Sequence, residues 1–137
     1  MREIKFRGKQ TKPIESIWHY GDLIHSKDNK TYIQNITCME VDKETVGQFT
    51  GLRDKNGVEI YEGDILKIPE WLKEDNQDVC ICIYNQENTV SDIIGFGLYI
   101  KDGYSGKYKI LVQSDEWDEF EVIGNIYDNP ELLKESD

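Results

Sequence analysis

Cysteine, proline, methionine and histidine are all scarce in this chain, at three, three, two and two of 137 residues. The cysteines, Cys38, Cys80 and Cys82, are odd in number and come without an export signal, so reduced thiols are expected instead of a disulfide framework. Cys80 and Cys82 are two apart, which puts both on one face of a strand and misses the gap of a zinc knuckle; no metal is expected. Long apolar runs are missing too. The longest nearly uncharged stretch, Val90 to Ile100, contains Ser91, Asp92, Gly95 and Gly97, far from the roughly 20 apolar residues that a membrane-spanning helix needs. The opening Met1-Arg2-Glu3-Ile4-Lys5-Phe6 has no secretory apolar region. The expectation is a cytoplasmic chain without membrane contact.

Cations are the other deficit. Sixteen Lys and Arg face 27 Asp and Glu, a net charge of −11 that repels nucleic-acid backbones and anionic membranes at long range. The imbalance is uneven, because residues 1–12 carry Arg2, Lys5, Arg7, Lys9 and Lys12 against Glu3. The simplest use of that strand is pairing with acidic neighbours in the same fold.

What is present is the material of a β protein. Eight Tyr, four Phe and three Trp suit a pleated, half-buried surface, and 137 residues bury a core of one-domain size. Ile4 and Phe6 alternate with Lys5 and Arg7. Ile17, Trp18, Tyr20, Leu23 and Ile24 surround Gly21-Asp22, read as a hairpin or bent pair of strands. Tyr32 to Ile36 is a further strand, and Asp42 is placed to cap a short helical turn through Glu44 and Thr45. Gly47 to Leu52 and Val58 to Tyr61 flank Arg53-Asp54-Lys55-Asn56-Gly57, a hairpin whose Asn-Gly supplies positive φ and whose Asp54 bonds the backbone ahead. Gly63-Asp64 turns into the strand Ile65, Leu66, Ile68, which Pro69 ends. Val79 to Tyr84, Ile93 to Ile100, Lys109 to Val112 and Phe120 to Ile126 complete the series, with a loop from Asn85 to Asp92, a turn at Asp102-Gly103 and a helical turn at Pro130 to Lys134.

Sites for chemistry are thin. Aligned as a calcium loop on Gly57, the first ligand position falls on Leu52 and the closing acid on Gly63. Gly95-Phe96-Gly97 lacks the third glycine and the helix of a dinucleotide site, so no cofactor is expected. Asp115, Glu116, Asp118, Glu119 and Glu121, interrupted by Trp117 and Phe120, read first as a charged strand edge. An enzyme would have to assemble something like His19, Cys80 and a carboxylate, and nothing in the spacing locates such a site; no enzymatic activity is expected.

The run Val46-Gly47-Gln48-Phe49-Thr50-Gly51-Leu52-Arg53-Asp54-Lys55-Asn56-Gly57-Val58-Glu59-Ile60-Tyr61-Glu62-Gly63-Asp64-Ile65-Leu66-Lys67 resembles the signature stretch of the YopX family of phage and prophage proteins. Arg2 to Lys9 and Val122 to Leu133 are similar to it as well. The resemblance implies a mainly β fold with an SH3-like barrel in residues 46–137, a β-rich region in 1–45, a bacterial host's cytoplasm and a phage or prophage setting. It implies no reaction.

Two readings of function follow. The first is an interaction module with a protein partner or a second copy of itself, using Trp18, His19, Tyr20, Tyr61, Glu62 and Asp64, where polar and aromatic groups meet beside turns. The second is nucleic-acid association, either directly through Lys5, Arg7 and Lys9 on the wet face of the first strand or through an acidic surface that mimics DNA. Net charge opposes the direct form.

Overall fold

A computed structural model of the chain describes residues 4–11, 17–73, 77–85, 95–101, 108–112 and 117–133. Arg2, Lys12, Asp115, Glu116, the Asp102-Gly103 turn, Ile93, Lys134 and the expected loop after Asn85 lie outside the described residues. Among the described residues the mainly β expectation holds: ten strands and two short 3-10 turns, with every pairing antiparallel in the registers that follow. The contacts divide the chain into two compact units, Met1–Gly51 and Leu52–Asp137. The break falls inside a strand, a few residues after the start of the signature stretch.

The first unit contains β1 (Phe6–Gln10), β2 (Trp18–His25), β3 (Thr31–Gln34) and most of β4 (Cys38–Arg53). Each pairs with the next, and β1 also pairs with β4, so these strands close into a small ring. Ring closure leaves Ile33 and Val41 buried, with Gly8 between them: a Cβ at Gly8 would stand 2.7 Å from Val41 Cγ2 and 3.2 Å from Ile33 Cγ1. The β2–β3 turn is closed by Ser26 N donating to Lys30 O at 3.0 Å, and the Ser26 hydroxyl donates to Asp28, holding that carboxylate below its ordinary range.

Two local expectations are corrected here. Gly21-Asp22 is not a turn; β2 runs straight through it, with Gly21 opposite Phe6. Glycine is needed there because β3 comes too close for a side chain, a Cβ lying 2.2 Å from the Gln34 carbonyl oxygen. Nor does Asp42 start a helical turn. Its carboxylate accepts from Glu44 N at 3.0 Å, as a cap would, but inside a bulge of β4 where the pairing with β1 jumps from Lys9↔Asp42 to Arg7↔Gly47. Thr45 repairs the gap: its Oγ1 accepts from Lys9 N at 2.9 Å and donates to the Asp42 carbonyl at 2.6 Å.

The second unit begins with the end of β4 and its hairpin partner β5 (Glu59–Tyr61), joined by the expected Asn56-Gly57 turn, where Gly57 has φ +81°. The meander β6 (Asp64–Lys67), β7 (Val79–Asn85), β8 (Gly95–Lys101) and β9 (Tyr108–Val112) follows, and β10 (Glu121–Asn125) returns beside β6. The ring of strands is thus in the first unit, and among the described pairings β10 and β9 remain the edges of the sheet in the second unit. One core fills it: Ile60, Leu66, Ile68, Cys80, Cys82, Leu98, Ile100, Trp117 and Phe120 are all buried. The period-two rule explains why both thiols of β7 point inward, and desolvation pushes the Cys80 thiol well above its ordinary value.

Candidate functional site

The six residues singled out for partner contact fall into two groups, one in each unit. Tyr61, Glu62 and Asp64 surround the β5–β6 turn of the second unit. Tyr61 and Asp64 are buried, at 1% and 2% exposure, and Asp64 Oδ2 accepts from Tyr61 N at 2.8 Å while the Tyr61 hydroxyl donates to Glu59 at 3.0 Å. Between them Gly63 N donates to Cys82 O, and the Gly63 carbonyl accepts from Ile126 N, each at 2.9 Å. This turn ties β7 and the end of β10 to the hairpin.

Asp54 is a second inward carboxylate of the same stretch. One oxygen accepts from Asn56 N at 2.8 Å and Val58 N at 2.9 Å, as the sequence led one to expect. The other accepts from Val122 N at 2.8 Å, and Lys55 N donates to Phe120 O at 2.9 Å. Asp54 therefore fastens the hairpin to the start of β10, a link of 68 residues that no local pattern announces.

Trp18, His19 and Tyr20 sit on β2 of the first unit. Alternation sends Trp18 and Tyr20 to one face and His19 to the other, where its Nε2 lies 2.7 Å from Gln10 Oε1. The cations of β1 are set against these rings: Lys9 is opposite Trp18 and Arg7 opposite Tyr20. Arg7 is 5% exposed, with its guanidinium carbon 4.8 Å from the centre of the Trp18 ring, so it braces the indole from behind. Lys5 Nζ is 5.1 Å from the centre of the Phe49 ring.

Beside Trp18 and Tyr20 lies a depression of about 270 Å³, completed by His19, Ile33, Asn35, Ile36 and Thr37. A shallower groove of about 450 Å³ runs from Tyr20 and Asn35 past Gly21, Asp22 and Gln34 to Lys5. Ile36 is 98% exposed and Tyr20 42%. The sequence reading missed Ile36, which it placed at the end of a strand. It stands instead on the β3–β4 turn, where Asn35 N donates to Thr37 O at 2.8 Å. The signal was its position between two turn-forming polar residues.

The other groups that invite chemistry are dispersed. Cys38 is exposed in the first unit, Cys80 and Cys82 are buried in the second, and His19 is engaged with Gln10. No group of three or more His, Cys, Asp or Glu among the described residues is arranged to hold a metal. Asp118 and Glu119 are exposed, and Glu121 pairs with Lys55 at 3.6 Å, while Trp117 and Phe120 between them enter the core. No helix among the described residues is long and apolar enough to cross a membrane.

Comparison with known proteins places this architecture. No curated protein matches the chain. Among solved structures it is similar to the crystal structure of protein EF1440 from Enterococcus faecalis, with a TM-score of 0.53 and 26% identity over 98% of this chain and 100% of that one. The family model described as YopX protein matches residues 5–134, which include the ring of the first unit, the Asp54 hairpin and the returning strand β10. The chain belongs to the YopX family.

Proposed function

We propose that the chain is a phage or prophage accessory protein that acts as a non-enzymatic interaction module, with its contact face on the first unit. The observation that carries this reading is the different use of the aromatic residues. Tyr61 is consumed by the turn it belongs to, whereas Tyr20 and the Arg7-braced Trp18 border a recess open to solvent. Rigid aromatic rings beside a recess, held by a closed ring of strands, supply contact area at little cost in side-chain entropy. The family's phage setting, expected from its signature stretch, supports the accessory role.

The test is affinity purification of the tagged chain from its bacterial host, with the native sequence beside the Trp18→Ala/Tyr20→Ala variant. The reading expects a defined partner on the native chain that is lost from the variant and retained by an Asp118→Asn control. A partner held equally by all three contradicts it.

Direct nucleic-acid association is the second reading, favoured by Lys5 and Tyr20 lining one groove. It expects a mobility shift of labelled single strands that fades as salt rises. Arg7, being buried, would serve it by positioning Trp18. Absence of a shift at low salt removes it.

A further inference from the structure

We propose that Asn56 is a site of spontaneous covalent modification, guarded by the closed Asp54 hairpin and released when that hairpin opens away from β10. The site belongs to the second unit and is independent of the contact face on the first.

Of eight asparagines, only Asn56 precedes a glycine. The backbone nitrogen that follows an asparagine can attack the side-chain carbonyl carbon, and glycine offers the least hindered nitrogen. A branched isoleucine crowds the attack after Asn35 and Asn125, and the proline after Asn129 has no N–H to lose. At Asn56 the reaction forms a bond from Gly57 N to Asn56 Cγ; the Gly57 amide proton is lost and the side-chain nitrogen leaves as ammonia. Water then opens the resulting succinimide at either carbonyl. The product is aspartate, or isoaspartate, in which the main chain runs through one extra carbon.

The turn both requires this dipeptide and restrains it. Gly57 has φ +81°, which favours glycine, and the space beside its Cα is open, with nothing within 4 Å of an added Cβ. Asn56 is exposed. The restraint is hydrogen bonding: Gly57 N donates to the Asp54 carbonyl at 3.0 Å and Asn56 N to Asp54 Oδ1 at 2.8 Å, while Asn56 Nδ2 lies 3.5 Å from Glu121 Oε2 on β10. The attacking nitrogen is thus tied as a donor, and the amide it must reach is drawn toward Glu121. Attack needs the turn to open, so the rate in the folded chain is the rate in the open turn scaled by the fraction of time spent open.

The modification also falls where it hinders reclosure. It replaces an amide with a carboxylate 3.5 Å from Glu121 and next to the Asp54 turn, a repulsion that Lys55, 3.6 Å from Glu121, offsets only in part. The extra carbon of isoaspartate further lengthens the span over which Gly57 N meets the Asp54 carbonyl. A hairpin that has opened and reacted is therefore easier to open again.

Peptide mapping by mass spectrometry tests this on the full chain, held in mildly alkaline buffer either folded or unfolded in guanidinium chloride. Trypsin cleavage after Lys55 and Lys67 releases residues 56–67, which contain Asn56 as their one asparagine. The expected result is that Asn56 converts ahead of the other asparagines in the unfolded chain and at least about 10-fold more slowly in the folded one. Asp54→Ala, folded by circular dichroism, should convert several-fold faster than the native chain, because Asn56 N, Val58 N and Val122 N have lost their acceptor. Equal rates in folded and unfolded chain, no preference for Asn56 on unfolding, or a folded Asp54→Ala no faster than native overturns the proposal. Should Asp54→Ala not fold, the ratio between folded and unfolded native chain decides alone. Asn56→Asp should melt below the native chain, by a gap that narrows as salt rises; an unchanged or raised melt overturns the hindered reclosure.

Discussion

The two units spend similar residues in different ways. In the second, the polar and aromatic groups of the signature stretch turn inward, although Trp71 beyond it is exposed: Asp54 gathers three backbone amides, Asp64 a fourth, and Tyr61 is buried between Glu59 and the core. In the first, the ring of β1 to β4 buries Gly8, Ile33 and Val41 together with Arg7, Gln10, Thr31 and Thr45, while Tyr20 and Ile36 are exposed and Trp18 is half-buried. The surplus acid follows the same division, with −12 on residues 52–137 and +1 on residues 1–51. A recognisable sequence signature therefore marks a part of the molecule that holds itself together, and the proposed contact face lies where the signature is weak.

That contrast is sharpest between two tyrosines. Tyr61→Ala removes a fully buried ring and should cost about 4 kcal/mol, read from urea unfolding. Tyr20→Ala should cost under about 0.5 kcal/mol, being on the surface. Equal losses would break the comparison. Asp54→Ala comes next: three part-buried amides lose a charged acceptor, and about 3 kcal/mol should go with them. Asp54→Asn, which keeps one carbonyl oxygen, should lose less. Gly21→Ala probes the first unit through backbone crowding at the Gln34 carbonyl and should cost about 2 kcal/mol. Amide exchange should show that loss concentrated in β2 and β3.

The smallest effect is chemical. In the folded chain Cys38 should react with an alkylating reagent while Cys80 and Cys82 do so only after unfolding. The Cys80 thiol has a raised folded pKa, so its contribution is intact below about 9, where the unfolded thiol is also neutral. Above that the unfolded chain ionises and the folded one does not, so stability falls as pH rises. A melt that improves from pH 8 to 10 would contradict this, as a burial effect of roughly this sign cannot produce it.

Local chemistry was readable where it acts locally. Asn56-Gly57 made its hairpin, β6 stopped at Lys67 just before Pro69, and Pro130 opened a 3-10 turn through Leu133, in which Leu132 N donates to the Asn129 carbonyl. The misreadings share a cause. Gly21 and Asp42 carry turn and cap signals, but partners far along the chain decided their use: the Gln34 carbonyl at one, the pairing with β1 at the other. The Asp54–Val122 link and the β1–β4 pairing are equally non-local. Trp18, His19 and Tyr20 were singled out because aromatics beside a glycine are conspicuous. Ile36 was not, because an isoleucine after a strand looks like more of the strand.

Amide chemical shifts of the isotope-labelled chain, followed as the partner captured by affinity purification is titrated in, test the division of labour most directly. The account predicts that Ile17 to Tyr20 and Ile33 to Thr37 move while Asp54 to Asp64 stay fixed. Movement centred on Asp54 to Asp64 or on Asp118 to Glu121, with the first unit silent, would contradict it.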